Sequence, residues 1–329
     1  MKPSFWGVAL TYVGAVIGAG FASGQEIYQF FGRFGSAGIV GIAVAGLLFG
    51  ALGYLALERG RKEQVRSFGA LLGSLYPQGV VRAAEGVTTA FLVVGLGVVS
   101  AGGGAAVGQL IHIPLLVGGA FTTGAILLVA MRGTASVVRA NSLLVPYLIL
   151  LVVLVAAMSW SHAIPRPGPS APGWLLAAFL YLSYNIFTGI MVLLGLGREL
   201  ASRRQSLMAA ALGALILSVL AYLEHHVLGT IAHVGALPMV DIAAHLHAVW
   251  GILFGISLWI ALFTTGVAEA YALREQYGSR ILWLAGATFL FGLLGFEKLV
   301  ALLYPLMGVV AVMLWVPLIY RRNRGVPGG

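Results

Sequence analysis

The stretch GAVIGAGFASGQE sets glycines at positions 14, 18, 20 and 24 and a carboxylate at Glu26 inside an otherwise apolar run. Glycine costs a helix roughly 1 kcal/mol relative to alanine, and a helix interrupted at Gly18-Ala19-Gly20 leaves N–H and C=O groups without intrahelical partners. Bare backbone of this kind has a chemistry of its own: half-helix N-termini attract anions, and unwound carbonyls suit cations. A second polar stretch, Ser183-Tyr184-Asn185 followed by Thr188-Gly189, lies midway through the apolar run GWLLAAFLYLSYNIFTGIMVLLGLG. Polar groups at that depth are costly unless they pair or line a cavity. Together the two stretches predict broken helices that hold a zwitterion and a coupling ion. The glycines also fit small-xxx-small packing, as Gly14/Gly18 and Gly20/Gly24, and the Ser-Tyr-Asn stretch also fits ordinary interhelical hydrogen bonding.

Glu26 follows the glycine break by roughly one and a half turns, and an intramembrane carboxylate marks a functional position by default. It could carry a proton, attract a substrate amine, or pair with Gln25 or a facing hydroxyl. Glu269 is four residues after Thr265, hence on the same helical face; its place nearer the inner surface predicts a solvated or gating ion pair. Glu85, close to Arg82, is expected to make a local ion pair. The segment EHHVLGTIAHVGALPMVDIAAHLHAVW gathers His225, His226, His233, His245 and His247 with Glu224 and Asp241. Histidine clusters bind metals or sense pH, yet no regular ligand spacing appears, and the segment is expected to form an outer loop helix over a vestibule. Neither break carries the aspartate and methionine that a transition-metal site would want. No nucleophile with a paired base is visible, so no enzyme is expected.

These residues must be positioned by membrane helices. The chain of 329 residues is 60% hydrophobic and 9% charged, with a mean hydropathy of +0.98; globular domains carry about 25% charged residues. It has no cysteine, which excludes disulfides and thiol chemistry. Its opening apolar run is too long for a signal peptide and lacks a cleavage site. Taking charge clusters and Pro/Gly stretches as boundaries gives ten spans, at about 5–31, 36–57, 80–107, 113–131, 137–159, 173–197, 206–228, 247–272, 280–296 and 299–320. With the N-terminus inside, all but three of the 19 Lys and Arg residues, namely Arg33, Arg166 and Lys298, fall on the inner side, as the positive-inside rule requires. Both termini are then cytoplasmic and the protein lies in the cell (inner) membrane. The net charge of +9 is thereby a topology signal, and no nucleic-acid partner is expected.

The proline-rich SHAIPRPGPSAPG divides the chain into a first five-span repeat, 1–160, an outer linker, 161–172, and a second five-span repeat, 173–329. Because five is odd, the second half enters from the opposite side, which makes an inverted-topology pair. Such pairs carry interrupted helices at corresponding positions, and the two polar breaks sit in the first helix of each half.

TYVGAVIGAGFASGQEIYQFF resembles the opening helix of the YkvI family of bacterial membrane proteins, grouped with amino-acid permeases in the superfamily of LeuT-fold transporters. The ten-span pattern extends the likeness over most of the chain, and this first motif is its specific part. Sodium-coupled members of that superfamily hold an ion between carbonyls of the broken first helix and a carbonyl with two hydroxyls of the eighth. The eighth span here reads WIALFTTGVAEAY. The resemblance implies sodium ligands at the Gly14, Ile17 and Ala261 carbonyls and the Thr264 and Thr265 hydroxyls. Threonines in helices also back-bond to the preceding turn. Phe21 stands where some relatives place an asparagine for a second sodium, and the fifth span lacks the lysine that proton-coupled relatives carry.

The expected fold class is therefore an all-α membrane protein: ten transmembrane helices in a LeuT-like 5+5 inverted repeat, with helices 1 and 6 broken. The expected function is a secondary active transporter for a small zwitterionic solute, an amino acid, coupled to sodium by alternating access. Gly18, Ala19, Gly20 and Ser23 would bind the solute carboxylate, Tyr184 and Asn185 would line the opposite wall, and Glu26 and Glu269 would serve as proton or gate groups. Its partners are the small-molecule substrate and the lipid bilayer, with sodium as the coupling ion and no other cofactor. Two rivals remain at this stage: a proton-coupled permease of the same fold that uses Glu26, and a membrane sensor or channel. Short loops leave no room for an effector domain, and the polar residues do not form a continuous pore.

Overall fold

The structure, a computed structural model, describes residues 4–64, 73, 76–132, 135–164 and 173–320. Most of the proline-rich linker (165–172) lies outside the described residues, as do the cations Lys2, Arg66, Arg166, Arg321, Arg322 and Arg324. The first span is built from three pieces, α1 (Phe5–Val16), α2 (Ala19–Ala22) and α3 (Gln25–Phe30). There follow α4 (Ser36–Glu63), α5 (Gln78–Ile111), α6 (Leu115–Ala130) and α7 (Ala135–Ser159). The second half contains α8 (Gly173–Gly197), α9 (Arg203–Val227), the short α10 (Pro238–Leu246), α11 (Ala248–Tyr277), α12 (Ile281–Phe291) and α13 (Phe296–Tyr320). Among the described residues there is no β-strand.

Among the described residues five helices (α4, α5, α8, α9 and α11) are long and apolar enough to cross a bilayer. The count is six if Ile281–Leu294 and Phe296–Val312, bent by 109°, are one span. Phe5–Val16, Leu115–Ala130 and Pro146–His162 are shorter apolar helices. Helix ends carry the expected chemistry: Ser4 caps α1 by accepting from Gly7 N–H at 3.3 Å, and Ser202 caps α9 by accepting from Gln205 N–H at 3.3 Å. Gln205 also reaches back to the Ala201 N–H at 2.8 Å.

The helices pack as two groups. α1 and α4 each pack on α8 and α9, and α5, α6, α11 and α12 form the second group. α13 lies against α8 and α5, and α2 packs on α11. Tyr12 pins the first group: its ring occupies the space left by Gly53 of α4 and Gly213 of α9, and its hydroxyl donates to Phe49 O at 2.9 Å. Burying a ring of this size with its hydroxyl satisfied contributes both apolar area and a fixed orientation.

Candidate functional site

The break in the first span is present. The last helical bond of α1 runs from Ile17 N–H to Val13 O, at 2.8 Å, and Gly18 N–H then turns to Val16 O at 2.9 Å. Ile17 adopts an extended ψ of 92°. Gly18 N–H therefore does not close on Gly14 O, as it would in an unbroken helix, and Phe21 N–H points to the Glu26 carboxylate instead of Ile17 O. The Gly14 and Ile17 carbonyls are thus freed from the helical ladder. A second interruption follows, with Gly24 at φ +80°, a left-handed conformation that glycine adopts without strain. Ser23 ties this corner together: its hydroxyl donates to Gly20 O at 2.8 Å and accepts from Gln25 N–H at 3.2 Å. Its carbonyl accepts from Met239 N–H of α10 at 3.0 Å. The histidine segment thus contains the helix expected of it, and that helix is bonded directly to the break.

Glu26 lies at the centre of the site. It is 2% exposed, its carboxylate accepts from the Tyr184 hydroxyl, and the Asn185 side chain and Phe21 N–H are within hydrogen-bonding reach. The carboxylate rests over Gly20, where a Cβ would come within 2.8 Å of the Glu26 Cγ and Cδ. Of the roles open to it from sequence, pairing with a facing hydroxyl is the one the structure displays. Tyr184→Phe removes that donor from a buried acceptor and is expected to cost about 1–3 kcal/mol. A thermal-unfolding midpoint equal to that of the parent protein would show that the bond carries no stability.

The expected break in the sixth span does not occur. α8 is continuous helix from Gly173 to Gly197, through Ser183-Tyr184-Asn185. Its polar side chains are satisfied without unwinding. Asn185 Nδ2 donates to Tyr181 O at 3.1 Å and Thr188 Oγ1 to Asn185 O at 2.8 Å, both within the helix. Ser183 Oγ crosses to α13, donating to Gly308 O at 2.7 Å and accepting from Trp315 Nε1 at 2.9 Å. Ordinary interhelical hydrogen bonding is thus the correct account of Ser183. The Glu26 side chain stands between Gly20 and Tyr184, and the Phe30 and Tyr184 rings stack 5.8 Å apart. A small apolar cavity lies elsewhere, between α4, α8 and α9, lined by Phe49, Tyr181 and Ser218 among others.

On α11, Thr264 is buried and Thr265 half-buried. Thr264 Oγ1 donates to Ala261 O at 3.1 Å, the bond to the preceding turn that the sequence left open as the alternative to an ion ligand, on the helix that packs against α2. Glu269 corrects another expectation. It forms no ion pair among the described residues, and its Oε2 is buried without a hydrogen-bond partner. The carboxyl sits over Gly95 of α5, where a Cβ would lie 2.8 Å from Glu269 Cδ. Glu85 and Arg82 are both exposed, and no ion pair joins them among the described residues.

The outer histidines are drawn into separate local contacts. His226 stacks on Trp160 at 3.9 Å, His245 Nδ1 lies 2.7 Å from Asp241 O, and His247 caps α11 by accepting from Val249 N–H at 3.2 Å. Asp241 accepts from Gln109 at 2.7 Å; burial raises its carboxyl above the ordinary aspartate range, against the lowering influence of Gln109 and His245. Among the described residues no group of His, Asp and Glu is arranged to hold a metal. Sequence reasoning missed Glu224, wholly buried on α9 with both carboxyl oxygens unpartnered, and Tyr304 of α13, whose ring lies 4.9 Å from that of Tyr184. In the sequence Glu224 stands out only as a neighbour of the histidines, and Tyr304 carries no motif.

No family model matches the chain. Among curated proteins, the uncharacterized membrane protein YkvI of Bacillus subtilis (strain 168) is 27% identical over 328 residues, covering 93% of this chain and 92% of YkvI. Among solved structures, MhsT in complex with L-phenylalanine is similar with a TM-score of 0.62 at 16% identity, over 95% of this chain and 86% of MhsT. Mhp1, a nucleobase-cation-symport-1 family transporter in a closed conformation with bromovinylhydantoin bound, gives 0.59 at 14% identity over 95% and 75%. The chain has the LeuT fold. In this chain the first helical segment is interrupted after Val16 and α8 runs through as plain helix.

Proposed function

We propose that this protein is a secondary active transporter that moves a small zwitterionic solute, an amino acid, across the cell membrane with sodium by alternating access. The observation that carries this reading is the interruption at Ile17-Gly18, where the freed Gly14 and Ile17 carbonyls immediately precede a short helix, α2, packed against the threonine-bearing α11. Carbonyls of Gly14, Ile17 and Ala261 with the hydroxyls of Thr264 and Thr265 are hard oxygen ligands of the kind sodium takes. The solute docks along Gly18, Ala19, Gly20 and Ser23, with Tyr184 and Asn185 on the facing helix. Because the Glu26 carboxylate occupies the space over Gly20, its role in this reading is to meet the solute's ammonium group.

The ten-span, two-halves topology belongs to the same proposal. It is supported by the packing: the first two spans of each half, α1–α3 with α4 and α8 with α9, pair in one group, and the next two of each half pair in the other. The charge asymmetry supports cytoplasmic termini and an inner-membrane location. MhsT and Mhp1 were each solved with a small organic molecule bound, which supports a solute of that size.

Purified protein tested for thermal stability in sodium against choline buffer, with a panel of amino acids, decides the matter. Sodium at 100 times its Kd should stabilise the native state by about 2.7 kcal/mol, and Thr264→Ala should abolish that gain. Equal melting in both cations for the parent protein would end the sodium reading.

A further inference from the structure

α5 and α11 run antiparallel in a register that repeats along their length. Leu110 lies over Gly255, Leu262 over Gly102, Val99 over Gly266 and Glu269 over Gly95, and Thr89 donates to Gln276 at 2.8 Å near the end of α11. At each of the four glycines a Cβ would come within 3.0 Å of the side chain that fills the slot. Three of the four guests are leucine or valine. The fourth is a carboxylate, and a leucine would fill that slot without the cost of burying a charge.

Glu269 has an oxygen to spare, and so does its neighbour on the helix. Its Oε2 is buried with neither a donor to accept from nor an acceptor to give to, and no Lys, Arg or His forms an ion pair with it among the described residues. One turn earlier, Thr265 makes no hydrogen bond among the described residues, whereas every other described threonine makes one. A spacing of four residues sets the two Cβ atoms about 5–6 Å apart on one face, so the hydroxyl and the carboxylate can turn to a common point. Both belong to an accessible stripe. Thr265, Glu269 and Ala272 are half-buried and Ala268 is exposed, while Gly266, Ala270 and Leu273 between them are buried. This stripe is distinct from the apolar exposed side of the helix, since Ile256, 44% exposed, lies about 140° round the axis from Glu269. On α5 the row that contains Gly95, with Thr88 and Leu92, also keeps exposed surface.

We propose that Glu269 and Thr265 form a second binding site for a monovalent cation, sodium, one turn along α11 from the ligands around Thr264. The carboxylate supplies the charge, the threonine hydroxyl a second hard oxygen, and the Gly95 slot holds the carboxylate in place. A protonated carboxyl would turn its O–H to an acceptor, and an ion instead needs oxygens that no hydrogen bond has claimed, which is the state of Oε2 and of the Thr265 hydroxyl. Water from the stripe completes the shell, so the ion gives up less hydration here than in a cage of five protein oxygens and fills this site at higher sodium concentration. Thr265 is common to both sets of ligands. An ion passing between the Thr264 level and the Tyr277 end of α11 can therefore exchange its other partners while keeping this one. The choice of sodium rests on the reading above; the site itself rests on Glu269, Thr265 and Gly95.

The test is an infrared difference spectrum of the full chain in liposomes, titrated with sodium chloride against choline chloride at constant ionic strength. Wild-type protein should show a sodium-induced change in a carboxylate stretch, and Glu269→Gln, which keeps the shape of the side chain without its charge, should lose it. Thr265→Val should raise the sodium concentration needed for half of the change severalfold, and Thr265→Ser should restore the wild-type value. Glu269→Asp, which draws the carboxylate back by one methylene, should also need more sodium. Thr264→Ala should keep the carboxylate signal while losing the sodium-induced gain in melting temperature, and Glu269→Gln should keep that gain while losing the signal, so the two proposals fail separately. A signal unchanged in Glu269→Gln, a Thr265→Val titration equal to that of the wild type, or a Glu269 that stays a protonated carboxyl in both cations overturns the site.

Discussion

Gly20→Ala is expected to destabilise the protein, and that loss of stability should largely vanish in a background that lacks the Glu26 side chain. The added methyl carbon would lie 2.8 Å from both Cγ and Cδ of Glu26 and closer still to its Oε1. The carboxylate would have to leave its niche, giving up the Tyr184 hydroxyl and the Phe21 N–H. Leaving buried hydrogen-bonding groups unpaired costs about 1–3 kcal/mol each, well above the roughly 1 kcal/mol that alanine returns as a better helix former. In a Glu26→Ala background the collision partner is gone, so the same Gly20→Ala change should be nearly neutral in thermal unfolding. A double-mutant cycle reads this directly. Additive effects in the two backgrounds would show that Gly20 and Glu26 are not coupled.

The second large effect is expected far from the break, where α4 crosses α8. A Cβ on Gly60 would lie 2.9 Å from the Leu194 carbonyl carbon, and one on Gly197 would lie 3.0 Å from the Leu57 carbonyl carbon. Both collisions are with backbone, so no rotamer change relieves them and the helices must part. Overpacking of this kind costs about 1–3 kcal/mol at one site. Separation caused by either substitution also makes room for the other, so the Gly60→Ala/Gly197→Ala pair should cost clearly less than the two single losses added together. Monodispersity and melting of the three variants in detergent would check this; strict additivity would mean that the two glycines do not share one contact.

Much of this was legible in the sequence because glycine and charge are expensive in a membrane. The first-span break could be read from Gly18 and Gly20, and the structure places it there, with α1 ending at Val16. The boundaries of α8 could be read from the apolar run, and they fall at Gly173 and Gly197 as expected. The inference of a broken α8 failed for a definite reason. Polarity at mid-depth demands hydrogen bonds but does not say where they go, and Ser183, Asn185 and Thr188 find theirs on α13 and on their own preceding turns. Glu224 was visible beside His225 and His226, but its burial depends on which helix faces it, and that is set by tertiary packing. The partner of Glu26 was equally out of reach, since Tyr184 is 158 residues away.

Ser23 and Met239 join the outer short helix to the bend in the first span by a main-chain bond of 3.0 Å, with the Met239 side chain under Gly24. Main-chain bonds do not depend on side-chain identity, so this tether survives most substitutions in α10. Whatever tilts the pieces of the first span therefore pulls α10 with it, so a label placed on α10 would report the state of the break.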